Sequence, residues 1–572
     1  MPVALSSPDF LRCSRSGAYH AHGTRTSDKS CARVCIRSVS PMHRRFFCIS
    51  FAAAFTTTTA SLALLAGSAA RAADVDQMAP AGGSVADLVR DRARALAALP
   101  YQASSGFLSD GLRALDYDDY RRIVYRDNKG FWRDQPFGFE LQPLHRGFIQ
   151  TGRMALNLVI DRIVYPLAYD ANLFRFDGEA PPVVSDGDIG YSGYRLMAQV
   201  GAGRIAREFL VFQGASYFRV IPPGMVYGLS ARGIALRTGE PDGEEFPSFV
   251  EAWIERPQPG AGEIILHALL DGPSVTGAYR FVVRPDMDDS AADSAKTVID
   301  VTATLFPRVD LVNVGLAPLT SMYWFSPLEK KTVDDYRPRV HDSDGLQIEM
   351  DTGESVWRPL ANPEHLQASS FLAGPSGVVS SFGLAQRDRN WSSYQDAEAN
   401  YHHRPGCRVE PGDGWPRGRV ELIEIPTANE YADNIVAYWR PEEPLRAGSE
   451  ITFDYTLHWS GRITGGADLL RVAGSASGRA PGPDDKREIV IDFAPSSRVP
   501  MIGAAPPADL VPVVEVVDGR VDGISLRRVP DTGGMRLSLF VTMDAPAVEL
   551  RVILQRQDRA ASETWLYRMT HS

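Results

Sequence analysis

The chain has 572 residues, 44% of them hydrophobic, with 70 Asp and Glu against 60 Lys and Arg and a formal net charge of −10. That length and apolar content suffice for a large buried core, while the acidic balance argues against nucleic acid or an anionic lipid surface as a partner. Of five cysteines only Cys407 lies beyond residue 72, so a framework of internal disulfides is excluded there.

The first 72 residues stand apart. They carry nine Lys or Arg and two acids, a net of +7, which leaves −17 for the rest of the chain. Arg44 and Arg45 precede an uncharged stretch, Phe46 to Ala70, and Ala70-Arg71-Ala72 has the small-x-small form of a cleavage site. This order reads as an export signal of the twin-arginine type. The expected mature chain begins near Ala73 and resides in the periplasm. The run with Thr56 to Thr59 is too weakly apolar for a permanent anchor. Met42 competes with Met1 as the true start. Cys31-x-x-x-Cys35 has no partner pair and is set aside as a metal site.

Two helices are expected next. Ser84 and Asp87 have the spacing of a capping box, and Val85, Leu88, Val89, Leu96 and Leu99 repeat at helical intervals before Pro100. A second helical stretch is read from Leu112 to Tyr125, with Leu115 and Ile123 inward. Thereafter short segments rich in Val, Ile, Tyr, Phe and Thr alternate with Gly, Pro and Asp. Examples are Tyr217–Ile221, Glu263–Leu269, Tyr279–Val283, Thr297–Leu305, Arg419–Ile425, Asn434–Trp439 and Ile451–Trp459. The pattern predicts an antiparallel β-sandwich over 84–461. Residues 462–485, dense in Gly, Ser, Ala, Pro and Asp, read as a linker. Strands at Glu488–Phe493, Val511–Val517, Met535–Val541 and Val548–Leu554 predict a small sandwich of immunoglobulin-like size over 486–572.

Several motifs fail. Gly201-Ala-Gly203-Arg-Ile-Ala206 has no βαβ unit around it and reads as a turn. There is no G-x-S-x-G elbow and no phosphate-binding loop. The adjacent His402-His403 pair suits a loop better than a metal. No cofactor and no metal is expected.

Carboxylates and aromatics gather between Asp334 and Trp439. His341-Asp342-Ser343-Asp344-Gly345 puts two acids in a turn-prone stretch. Asp388 and Asp396 flank Trp391 and Tyr394, Glu424 and Glu430 bracket Pro426-Thr427, and Asp433 precedes an apolar strand. Sugars are held by aromatic faces with acids and Arg, and glycosidic bonds are cut by an acid–carboxylate pair. Taken singly, each Asp is more often a turn former and each Trp a core residue.

Across nearly the whole chain beyond the signal, ordered segments resemble the G and D proteins of osmoregulated periplasmic glucan biosynthesis. They include Leu115–Arg121, Phe212–Arg219, Tyr227–Gly233, Thr276–Phe281, Ala317–Met322, Val340–Leu346, Trp357–Leu360, Gln386–Arg389, Asp433–Val436 and Ser562–Tyr567. The twin-arginine signal leans the resemblance toward the D branch. It implies an all-β protein, with a large galactose-mutarotase-like sandwich followed by an immunoglobulin-like one. It implies a glycoside hydrolase, an inverting endo-β-1,2-glucanase with Asp433 as general acid, Asp342 as general base and Tyr401 beside the water path. Trp357, Arg358, Trp391 and Trp439 are candidate sugar contacts. The alternative is a non-catalytic glucan-binding or escort protein that couples synthesis to export. The implied partner is β-1,2-linked glucan; a membrane glucan synthase and a homodimer stay open. Burial of Asp433 beside Tyr438 or Trp439 would raise its pKa, whereas polar neighbours would keep Asp342 ionised. Cys407 and Arg408 depart from the pattern of the resembled proteins.

Overall fold

Ser84 forms a complete capping box: its side chain accepts from the Asp87 N–H, and Asp87 reaches back to the Ser84 N–H. Two of the orphan N–H groups of α1 (Val85–Ala97) are thereby satisfied. The helix buries Val85, Val89 and Ala93 against Trp253, Leu269, Ala278 and Phe306, with Leu88 and Leu96 flanking. Leu99 lies past the helix end and is exposed. The computed structural model describes residues 83–570 except 104–107, 178–186, 201–204, 288–294, 330–332, 464–467, 482–485 and 497–504. The paired Arg44 and Arg45, Met42, the expected cleavage site and most of the Gly201–Ala206 turn therefore lie outside the described residues.

The second expected helix is broken. Asp110–Arg113 and Tyr117–Tyr120 are separate single turns, and Ile123–Tyr125 is a strand. Asp116 is the cause, because its carboxylate caps the Asp119 N–H at 2.8 Å and starts a new turn.

From there the described residues are nearly all β, with only short helical turns such as Trp391–Tyr394 between strands. Among the described residues, one sheet of ten strands and one of fifteen dominate. Every strand expected above is present, with ends shifted by a few residues; Thr297–Leu305, for instance, is observed as Lys296–Pro307. Alternation is the reason: Ile299, Val301, Ala303 and Leu305 point into the core, and the residues between them do not. Phe212 and Phe218 of the smaller sheet stack at 4.9 Å, and Phe212 meets Phe281 of the larger sheet edge-on at 5.2 Å. These rings tie the two sheets together, with large buried area and favourable ring geometry.

The stretch expected as a linker contains the strand Val472–Arg479, paired with Lys486–Phe493. That strand forms the edge of a four-stranded sheet with Gly534–Met543 and Gly519–Val529. The opposite layer of this C-terminal sandwich is the end of the fifteen-stranded sheet: Leu510–Val517, Ala547–Arg556 and Thr564–Thr570. Ile489, Ile491, Leu537 and Leu539 pack there with Leu550, Val552 and Trp565, and Leu328, Trp357 and Ala385 join the same cluster. A parallel pairing, Val356 with Thr564 and Trp357 with Trp565, makes the sheet continuous. No helix among the described residues is long and apolar enough to cross a membrane.

Candidate functional site

Asn434 is the joint on which the site is built. Its Oδ1 accepts the Tyr323 N–H at 2.8 Å, and its Nδ2 donates to the carbonyls of Tyr323 and Ile425 at 2.9 and 3.0 Å. Next door, the Asp342 N–H donates to the Met322 carbonyl at 2.8 Å. The segments carrying Asp433 and Asp342 are thus pinned to adjacent residues, Tyr323 and Met322, just past the end of the strand Val314–Ser321. Hydrogen bonding by a buried amide is what brings together two motifs far apart in the chain.

Both acids are buried in this corner. Asp342 is 3% exposed. Its Oδ1 accepts from the Arg404 guanidinium. Burial pushes its carboxyl up to about 6, with Asp433 adding to the rise and Arg404 and Arg219 opposing it. Burial also raises Asp433, against the pull of Arg219, Arg232 and Arg404. The Arg219 guanidinium is 3.9 Å from Asp433 Oδ2. Oδ2 has no hydrogen-bond partner among the described residues. An unpartnered buried carboxyl oxygen favours the protonated, neutral form.

The expectation that its surroundings keep Asp342 ionised is therefore corrected. They are enclosed, not loop-like, and the Arg404 cation only partly offsets the burial that raises its carboxyl to about 6. The polar neighbours face elsewhere. Asp344 accepts the main-chain N–H groups of Arg387 and Asp388 at 2.8 and 3.1 Å. His341 stacks on Tyr323 at 5.4 Å and bonds Gln386 at 2.9 Å, and burial lowers it to about 4.

A cavity of about 480 Å³ opens over these groups, with Asp342, Tyr401, Arg404, Arg219 and Tyr227 in its wall. Tyr401 is buried and donates to Glu430, while the Arg404 guanidinium lies 4.4 Å over its ring. Glu430 in turn accepts from Arg337 at 2.8 Å, and Arg337 also binds Asp396 at 2.7 Å and Asp335 at 2.8 Å. Gly228 lets Arg404 approach, since a Cβ there would stand 3.0 Å from Arg404 Cβ and 3.3 Å from Pro405. At the rim, Tyr336 and Tyr431 are 76% and 67% exposed, the state in which a ring face can receive a sugar.

The structure brings Asp342 and Tyr401 into one cavity wall; Asp433 is not among the lining residues and reaches that wall through Arg219, 3.9 Å from its Oδ2. It does not bring in the four expected sugar contacts. Trp439 is fully buried, its indole N–H spent on the Pro416 carbonyl at 3.0 Å, so it has no face to offer. Trp357 is buried under Arg387, 3.5 Å above its ring. Arg358 is locked to Glu424 at 2.9 Å. Trp391 is exposed but packs edge-on against His402, outside the cavity wall. Tyr438, expected beside Asp433, packs with Ala235, Ile423 and Val436. Arg408 lies on an outer face, 3.3 Å from Glu410. Arg219, Arg337 and Arg404 were missed as site residues. Arg219 does end one of the segments that carried the resemblance. Among the described residues, no group of His, Cys, Asp and Glu is arranged to hold a metal.

The family described as periplasmic glucan biosynthesis protein, MdoG, matches residues 85–569. The chain is 42% identical over 488 residues to glucans biosynthesis protein G of Bradyrhizobium diazoefficiens, covering 84% of this chain and 92% of that one. To the protein of the same name from Vibrio cholerae it is 42% identical over 501 residues, covering 87% and 89%. To that of Shewanella baltica it is 43% identical over 493 residues, covering 86% and 88%. These relatives carry the G name, whereas the lean toward the D branch rested on arginines outside the described residues.

Proposed function

The chain belongs to the periplasmic glucan biosynthesis protein family MdoG, and from that premise we propose that it acts in the periplasm on β-1,2-linked glucan as an inverting endo-glucanase that trims the glucan backbone. Asp433 is the general acid, Asp342 the general base and Tyr401 the hydroxyl beside the water between base and sugar. One observation carries this reading. Two buried carboxyls share a corner: Asp433, whose Oδ2 makes no hydrogen bond and has Arg219 only at 3.9 Å, and Asp342, tightly ion-paired to Arg404. An inverting hydrolase requires such an unequal pair, one carboxyl to protonate the leaving oxygen and the other to take a proton from water.

Glucan lies across the cavity with sugar faces on Tyr336 and Tyr431. The Asp433 proton passes to the glycosidic oxygen as that bond breaks. Water attacks the anomeric carbon from the opposite face, and its proton passes toward the Asp342 carboxylate along the wall formed by Tyr401. The test is release of new reducing ends from purified linear β-1,2-glucan. Binding without any release would transfer the chain to the escort reading, in which the same groups only hold sugar hydroxyls.

The pH profile is a second check. Asp342 must be ionised to act, so kcat/KM falls as pH drops through its value, and the acid limb is expected near 6. The limb belongs to the coupled pair Asp342–Asp433. Arg404 opposes the upward shift, so Arg404→Gln should move the acid limb to higher pH. A limb that stays in place would remove Asp342 from the role of base.

A further inference from the structure

Behind the loop that carries Gln386 lies a second cavity of about 300 Å³, between the end of the large sheet and the four-stranded sheet. Its wall holds Arg387, Arg389, Arg462 and Arg471, and the one acid among its described lining residues is Asp388. Asp388 is already engaged: its Oδ2 pairs with Arg339 at 3.1 Å and its Oδ1 accepts the Asn390 N–H at 3.0 Å. Glu563 neutralises Arg387 through two contacts of 2.7 and 2.8 Å. Arg389 donates to the carbonyls of Gly461 and His402. Among the described residues no carboxylate lies within ion-pair distance of Arg471; burial lowers its half-buried guanidinium, with the charges of Arg387 and Arg462 adding to the fall and Glu563 opposing it.

Like charges gathered in a confined space repel, and in a chain this acidic their clustering is unforced by composition. Planar guanidinium groups converging on one space match an oxyanion with several acceptor oxygens. We propose that this cavity binds a small oxyanion, a phosphate or carboxylate group, with Arg471 as its principal donor. The site is separate from the glucan cavity and is linked to it by hydrogen bonds. Gln386, which lines the second cavity, donates to the carbonyls of His341 and Tyr401 at 2.8 and 3.1 Å.

The test is calorimetric titration of the full chain with inorganic phosphate, methyl phosphate and succinate at constant chloride. Phosphate or succinate is expected to bind to the wild type, and Arg471→Gln should weaken it by about tenfold or more, the worth of one charge-assisted hydrogen bond. Tighter binding of methyl phosphate than of phosphate would mark an ester group as the natural ligand; the reverse would mark a free anion. Arg471→Lys keeps the charge but loses the bidentate fork, and serves for the same loss should the Gln variant fail to fold. No binding of any of the three anions overturns the proposal, as does equal binding in the wild type and a folded Arg471 variant.

Discussion

Asp433→Asn is expected to lower turnover on linear β-1,2-glucan by roughly 10²–10⁴-fold, the usual share of general acid–base catalysis, while glucan binding is kept. The amide has the size of the acid and cannot deliver a proton. It also removes the burial cost of ionising a carboxyl whose Oδ2 makes no hydrogen bond, so the variant should be about as stable as the wild type at neutral pH. Loss of rate with intact stability separates a chemical role from a structural one. A β-linked disaccharide derivative whose leaving group needs no protonation should regain most of the lost rate in Asp433→Asn. It should not do so in Asp342→Asn, where the missing step is activation of water. Undiminished hydrolysis of the ordinary glucan by Asp433→Asn would end the assignment.

Glu563→Ala should cost about 3–5 kcal/mol of stability, the penalty for leaving one member of a buried ion pair without its partner. Glu563 is fully buried, and the Arg387 side chain is 7% exposed. The carboxylate also accepts the Val472 N–H at 2.8 Å. A single substitution would thus loosen the edge strand Val472–Arg479, the loop at Arg387 and the final strand together. Replacing both Glu563 and Arg387 by Met should recover part of the loss, because an apolar pair leaves no charge behind. Urea unfolding reads both outcomes, and a midpoint for Glu563→Ala close to that of the wild type would refute the tie.

The strands were legible because burial on one face forces period-two alternation, as in Lys296–Pro307. Val472–Arg479 was not, because its Gly and Ser residues carry no hydrophobic signal. That strand is held by main-chain pairing with Lys486–Phe493 and by a hydrogen bond from the Ser477 N–H to the Pro327 carbonyl. The two acids could be named from the motifs around them, yet the state of Asp342 could not. Its sequence neighbours are polar, whereas its energetics come from Arg404 and from enclosure by distant strands. The aromatic contacts failed for the same reason. Trp439 and Tyr431 look alike on the page, but Trp439 lies in the strand Ile435–Pro441 with its ring sealed, whereas Tyr431 stands in the turn before that strand, at the cavity rim.

The parallel pairing of Ser355–Pro359 with Thr564–Thr570 has a kinetic consequence. During synthesis, a strand made in the middle of the chain must wait some two hundred residues for its neighbour. Until then its edge is open and the apolar faces of Trp357 and Ala385 lack their cover. Such distant pairings slow folding and prolong exposure of sticky intermediates. The C-terminal sandwich therefore closes the larger sheet at its last step, and a chain lacking residues 564–570 would be expected to aggregate instead of yielding a smaller working domain.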